Sequence, residues 1–160
     1  MSGRSPLLWL PPPLVTVLAA LMMWLTDTWQ AMRALADLGW SFALPPWLAI
    51  MVALIGLSLM LISAQTLRRA NTTLLPFAPE RATALVTTGI FNYSRNPIYV
   101  GDALLLVGWA LWLGAAINVL WLALFVLYMS KVQIAAEEQA LRHKFGGAYQ
   151  AYCQQVRRWL

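Results

Sequence analysis

Charged residues, cysteine and histidine are scarce in this chain, and their scarcity excludes several classes of protein. Only 11% of the 160 residues are charged and 61% are hydrophobic, whereas roughly 25% are charged in soluble domains. The one cysteine, Cys153, excludes an intramolecular disulfide and a multi-cysteine zinc site. The one histidine, His143, has no second ligand at metal spacing, so we expect no metal site.

Two ligand-binding patterns are also missing. The nine glycines never form the G-x-G-x-x-G pattern of soluble dinucleotide-binding folds. The net charge is +5, but the basic residues lie at the ends of hydrophobic runs, without the basic stripe and stacking aromatics of nucleic-acid-binding proteins. We therefore predict no nucleic-acid partner and place the chain in a lipid bilayer.

Four hydrophobic runs predict about four transmembrane helices, at about residues 12–29, 46–67, 97–115 and 118–135. The second run has about 21 residues, which as a helix reach ~30 Å, the thickness of the hydrocarbon core. The sequence thus predicts an all-α integral membrane protein with a single domain over residues 1–160. A polar connector precedes the third helix, and a C-terminal helical extension follows the fourth.

Positive charge is distributed unevenly between the two sides of this bundle. Every Lys and Arg except Arg33 falls before the first run, in the connector, or in the last turns of the fourth run and beyond it. The positive-inside rule therefore places both termini, the connector and any site formed there in the cytoplasm. The predicted location is the cell membrane, with multiple passes.

Two polar blocks stand out, one at residues 85–101 (LVTTGIFNYSRNPIYVG) and one at residues 137–158 (EE-x-x-L-x-x-x-FG-x-x-Y-x-x-Y-x-x-x-V-x-R). Pro97 predicts the start of a helix with Asn96 as its N-cap, and such a helix start beside Arg95 favours anions. A hairpin of the third and fourth helices would bring both blocks to one side. Glu138 can then pair with Arg142 four residues on, while Glu137 faces another group.

Together the two blocks resemble the integral-membrane methyltransferases of the isoprenylcysteine carboxyl methyltransferase and phospholipid methyltransferase group. The resemblance implies S-adenosylmethionine as cofactor, S-adenosylhomocysteine as product, and a lipophilic acceptor from the bilayer, either an isoprenylcysteine-like carboxylate or a phospholipid amine. Family members often have His where this chain has Asn96, so a titrating imidazole is absent there. The residues implied in cofactor binding are Arg95, Asn96, Pro97, Tyr99, Gly101, Glu137, Glu138, Tyr149 and Tyr152, and Arg95, Tyr99 and Glu137 are also implied in catalysis.

Two alternative functions and one residue remain open at this point. The chain is alternatively a non-enzymatic helical membrane protein that binds a partner through its Trp-rich side. A nicotinamide-dependent membrane reductase is less favoured, because such proteins are usually much longer. Asp102, an acid in the first turns of a membrane helix, either complements the helix dipole or contacts a polar group of the substrate.

Overall fold

The computed structural model describes residues 10–29, 44–72 and 83–160, which form helices joined by turns. Residues 73–82 of the predicted connector lie outside these ranges, as do Arg4 and Arg33. The prediction of an all-α protein is confirmed. The helices are α1 (Pro12–Thr28), α2 (Pro46–Arg69), a short 3-10 helix (Gly89–Asn92), α3 (Pro97–Leu113), α4 (Asn118–Tyr128), a π-helical turn (Met129–Gln133) and α5 (Ile134–Gln155).

Proline begins three of these helices. Pro12, Pro46 and Pro97 each occupy the first turn of a helix, where the N–H that proline lacks would have no partner within the helix. At its other end α3 stops before Gly114, which has a φ of 73°. Glycine adopts this left-handed conformation without strain, so α3 ends slightly before the boundary predicted near residue 115.

Apolar surface faces outward on these helices. α2 and the continuous helix Asn118–Gln155 are long and apolar enough to cross a membrane, yet only 17% and 22% of their most apolar windows are buried within the protein. α1 and α3 are also apolar and have 17 residues each. A core helix of a soluble protein would bury its apolar face, so lipid is the natural solvent of this surface. The fold is that of an all-α membrane protein, and the number of crossings remains a prediction.

Cysteine labelling tests the predicted orientation. In a Cys153→Ala background, Gln154→Cys would mark the predicted cytoplasmic side and Leu44→Cys the opposite side, and both positions are exposed. We expect a membrane-impermeant maleimide to label Leu44→Cys in intact cells and Gln154→Cys only after permeabilisation, because positively charged segments stay inside. Labelling of Gln154→Cys in intact cells would invert the orientation.

The buried core joins α1 to the two helices that carry the polar blocks. Met23 of α1, Leu106 of α3 and Met129 of the π-helical turn are almost wholly buried in one cluster. The indole of Trp109 donates to the carbonyl of Ala20 at 3.1 Å. These contacts satisfy a polar group inside an apolar bundle and fix α3 against α1.

Glycines allow α2 and α3 to approach closely. A Cβ atom added at Gly56 would lie 2.7 Å from the carbonyl oxygen of Gly101, and one added at Gly108 would lie 2.8 Å from that of Ala49. Small residues at such contacts let the backbones of membrane helices pack against each other. The α2–α3 contact therefore fixes the position of α3 from a second side.

We expect Gly56→Val to destabilise the protein, because its added atoms would meet backbone atoms that cannot rotate away. Overpacking of this kind costs about 1–3 kcal/mol. Gly147→Ala is the matched control, since nothing lies within 4 Å of the Cβ position at Gly147. Thermal unfolding in detergent should give a lower midpoint for Gly56→Val than for Gly147→Ala, and equal midpoints would contradict the close α2–α3 contact.

The last helix departs from the sequence-based expectation at two points. The sequence predicts a helix running unbroken to Phe145 and ending at Gly146. The structure instead has a π-helical turn at Met129–Gln133 and a kink at Gly146 (φ 50°, ψ −123°), after which the helix resumes and runs to Gln155. The kink uses the left-handed region that glycine tolerates best. It allows the last two turns of α5 to pack on the residues before α3.

Candidate functional site

Glu138 is the charged centre where the two polar blocks meet. It is only 4% exposed. Nη2 of Arg95 lies 2.9 Å from Oε1 of Glu138, and Nη2 of Arg158 lies 2.6 Å from Oε2. Arg142, the partner expected from the four-residue spacing, is farther away at 3.7 Å and its side chain is exposed. Residues far apart in the sequence thus share one buried carboxylate.

Arg95 and Arg158 together neutralise the negative charge of Glu138. Nε of Arg158 donates a second hydrogen bond to Oε1 of Glu138 at 3.0 Å. The hydrogen bond to Glu138 raises the pKa of Arg158, so this guanidinium stays charged at any physiological pH. A buried carboxylate is tolerated only when it is paired and hydrogen-bonded. Glu138 is therefore already committed to arginines of the protein.

Residues 156–160 extend across the turn that precedes α3. The backbone N–H of Arg95 donates to the carbonyl of Arg157 at 3.0 Å, and Nδ2 of Asn96 donates to the carbonyl of Arg158 at 2.9 Å. Asn96 was expected to cap α3, but no side chain makes a capping bond at this helix start. The first-turn amides of α3 consequently have no side-chain acceptor, which favours an anion there.

Glu137 faces away from the arginines and into the protein. The hydroxyl of Tyr99 donates to Oε1 of Glu137, and Nε2 of Gln133 donates to the same oxygen at 3.3 Å. Tyr99 is 5% exposed and Gln133 is 2% exposed. The group that Glu137 faces is thus a buried hydrogen-bonded pair, Tyr99 and Gln133. Neighbouring carboxylates on one helix have different environments, one paired with cations and one bound by neutral donors.

Asp102 lies about one turn beyond Tyr99 in α3 and is 3% exposed. Thr16 of α1 lies beside this carboxylate, a neighbour that the sequence did not indicate. Asp102 therefore adds polarity to the interior beside Tyr99, next to α1.

Within residues 10–29, 44–72 and 83–160, no three His, Cys, Asp or Glu side chains group as a metal site.

Tyr149 and Tyr152 pack the end of α5 against the first polar block. The hydroxyl of Tyr152 donates to the carbonyl of Phe91 at 2.7 Å. Burial raises the pKa of Tyr152, so the phenol keeps the proton it donates. The two tyrosine rings meet edge to face with centroids 6.2 Å apart. Both side chains hold the two blocks together, and direct contact with a cofactor remains a prediction for them.

Pro97 and Gly101, two further predicted cofactor residues, lie at structural positions of α3. Pro97 is buried and begins the helix. Gly101 contacts α2, where the carbonyl oxygen of Gly56 occupies the space that a side chain would need. The structure places Gly101 in this helix contact. By contrast, the side chains of Arg95 and Glu138 are hydrogen-bonded to each other, and so are those of Tyr99 and Glu137.

Two residues of this cluster were missing from the predicted site. Arg158 stands in the second polar block, but its distance from Glu138 along the chain gave no reason to pair them. Gln133 lies four residues before Glu137, a spacing that places both on one helix face. The four-residue rule applied backwards from Glu137 would have found it. The π-helical turn that contains Gln133 had no recognisable signal.

These features define a class of protein: a helical membrane protein with a buried, ionisable cluster where α3 and α5 meet. A family model described as phospholipid methyltransferase matches residues 44–148, and the chain belongs to this family. An uncharacterized protein from Haemophilus influenzae is 44% identical over 63 residues, which are 39% of this chain and 100% of that protein. No solved structure matches.

Family membership indicates a membrane methyltransferase, in agreement with the resemblance of the two polar blocks. The family match includes Arg95, Tyr99, Glu137 and Glu138 and stops before Tyr149. The partners supplied by the last residues, above all Arg158, therefore lie beyond the matched region.

Proposed function

We propose that this protein transfers a methyl group from S-adenosylmethionine to a lipophilic substrate in the membrane. The observation that carries the proposal is that the adjacent acids Glu137 and Glu138 bind two residues at the uncapped start of α3, Glu137 binding Tyr99 and Glu138 binding Arg95. Membership of a methyltransferase family supports the reaction class. The apolar outer surface of the helices supports an acceptor that resides in the bilayer.

The amino-acid end of the cofactor carries an ammonium and a carboxylate, and the cluster offers a partner for each. The Glu137 carboxylate suits the ammonium. Nε of Arg95 is buried without a hydrogen-bond partner, and together with the first-turn amides after Pro97 it suits the carboxylate. Asn96 stands beside this helix start. These groups form the cofactor site that we propose, with Tyr149 and Tyr152 packed beneath the turn that bears Arg95.

Glu138 takes a different part in this proposal from Glu137. Because both of its oxygens are bound by arginines, it is poorly placed to bind the ammonium of the cofactor as well. Its contribution is to hold Arg95 at the start of α3. The acidic pair thus divides into one residue that binds the cofactor and one that positions its partner.

The proposed reaction requires the protein mainly to position the cofactor and the methyl acceptor. Bound S-adenosylmethionine would supply a methyl group already activated by its bond to a positively charged sulfur, so an ionised carboxylate acceptor would need no base, and S-adenosylhomocysteine would be the leaving group. Orientation and exclusion of water supply most of the rate. An amine acceptor would also have to lose a proton, and the candidates for that base are Glu137 and a tyrosine such as Tyr99, which are hydrogen-bonded to each other. Both acceptor classes remain within the proposal.

Thermal stabilisation of the detergent-purified protein tests the choice of cofactor. A ligand that binds the folded state raises apparent stability, by about 2.7 kcal/mol at 100 times its dissociation constant. We expect S-adenosylhomocysteine to raise the unfolding midpoint and NADPH to leave it unchanged. Stabilisation by NADPH alone would favour the reductase alternative. No stabilisation by either ligand would favour a non-enzymatic membrane protein.

A further inference from the structure

The π-helical turn Met129–Gln133 changes which residues of the last helix are buried. Up to its last residue, burial recurs every four residues, at Phe125 before the turn and at Met129 and Gln133, the two ends of the turn. After it, burial continues from Ile134 to Glu138, so the buried stripe has shifted by one residue. π-Helical turns inside α-helices occur frequently at functional sites. Here the turn lets Gln133 and Ile134 be buried side by side, one polar and one apolar.

Gln133 is bonded on one side of its amide and unpaired on the other. Nε2 donates to Oε1 of Glu137 at 3.3 Å, the same oxygen that accepts from the Tyr99 hydroxyl. Oε1 of Gln133 is buried without a hydrogen-bond partner. The amide nitrogen is the donor that this carboxylate oxygen accepts from, so the amide oxygen faces elsewhere.

An unpaired amide oxygen inside an apolar bundle is unfavourable, and an apolar residue of similar shape would avoid the cost. Gln133 is only 2% exposed, so bulk water does not compensate. The same amide donates through Nε2 to Oε1 of Glu137 at 3.3 Å, so the unpaired oxygen belongs to a group that is fixed beside this carboxylate. An unpaired acceptor held next to a carboxylate matches a ligand that carries positively charged N–H donors.

We propose that Gln133 is a cofactor-binding residue whose Oε1 accepts a hydrogen bond from the α-ammonium of S-adenosylmethionine. The inference rests on the proposed function and adds to it a residue outside the two polar blocks. Glu137 supplies the countercharge to the ammonium, and Gln133 supplies a directed acceptor while orienting Glu137 through Nε2. The four-residue spacing places both residues on the same face of the last helix.

The test compares two ligands that differ only in the amino-acid part. S-Adenosylhomocysteine carries the ammonium, whereas 5′-methylthioadenosine retains the nucleoside and the sulfur without it. Gln133→Met keeps the length of the side chain and removes the acceptor. Loss of one hydrogen bond to a charged donor should weaken S-adenosylhomocysteine binding about 10-fold or more, while the affinity for 5′-methylthioadenosine stays within about 2-fold of wild type.

Controls separate this inference from the proposed function. Gln139→Met, at an exposed position of α5, should bind both ligands as wild type does. Gln133→Glu, which restores an oxygen acceptor, should bind S-adenosylhomocysteine more tightly than Gln133→Met does. Unchanged S-adenosylhomocysteine affinity in Gln133→Met would overturn the inference, even if only the KM for the methyl acceptor rose. An equal loss for both ligands would also overturn it, whereas failure of the wild type to bind S-adenosylhomocysteine would overturn the proposed function itself.

Discussion

Replacing Glu138 by Gln should lower the free energy of unfolding by about 3–5 kcal/mol, since it leaves the largely buried guanidinium of Arg95 without its countercharge and removes the charge partner of Arg158. The side chain of Arg95 is 11% exposed and that of Arg158 is 36% exposed, and both are bound to this one carboxylate. Gln retains the shape of Glu and one acceptor oxygen, so the loss reports charge rather than packing. Unfolding of the detergent-purified protein by a denaturing detergent would measure it.

The third arginine provides a matched control on the same carboxylate. Arg142 is 58% exposed and lies 3.7 Å from Oε2 of Glu138, and exposed pairs of this kind contribute roughly 0–1 kcal/mol. Arg142→Ala should therefore unfold nearly as wild type does. A double-mutant cycle between Glu138→Gln and Arg158→Ala should show coupling well above that with Arg142→Ala. Equal small effects of Glu138→Gln and Arg142→Ala would contradict a buried charge centre.

Replacing Glu137 by Gln should weaken the binding of S-adenosylhomocysteine by about 10- to 150-fold, corresponding to loss of a charge-assisted interaction of roughly 1.5–3 kcal/mol. The substituted amide keeps an oxygen that can accept from Tyr99 and Gln133, the two donors seen at Glu137. The fold should therefore survive, in contrast to Glu138→Gln. Equilibrium binding to the purified variants is the measurement.

The pairing of these variants distinguishes binding from folding. Arg142→Ala removes a charge from the same helix without touching Glu137, and it should bind S-adenosylhomocysteine with wild-type affinity. Arg95→Ala is a less informative test, because it disturbs Glu138 as well as the proposed cofactor site. If a well-folded Glu137→Gln variant binds as tightly as wild type, the assignment of Glu137 to the cofactor fails.

Local rules were sufficient for the starts of three helices and for the convergence of the two polar blocks. Proline at the first turn marked the starts of α1, α2 and α3, because its ring and missing N–H restrict it to that position. The order of the two polar blocks around a hydrophobic hairpin led to their predicted convergence. Arg95 and Glu138 do meet, at 2.9 Å.

Those rules could not predict that Glu137 and Glu138 have different partners. Sequence places Glu137 and Glu138 on different faces of a helix, but it does not say which face meets cations. That depends on the register of α5, which the π-helical turn shifts, and on the kink at Gly146, which allows the chain to return Arg158 to Glu138. Gly101 shows a related limit, because a motif glycine proved to occupy a helix contact that depends on α2.

Transfer of a labelled methyl group from S-adenosylmethionine to a lipophilic acceptor tests directly whether the protein is a membrane methyltransferase. Purified protein in liposomes would be supplied with S-adenosylmethionine tritiated in the methyl group, with phosphatidylethanolamine and an isoprenylated cysteine analogue offered as acceptors. We expect tritium in the lipid extract for wild type. At a fixed, subsaturating cofactor concentration, the rate of methyl transfer should be at least 10-fold lower for Glu137→Gln. Wild-type protein that binds the cofactor but labels neither acceptor above the Glu137→Gln level would contradict this expectation.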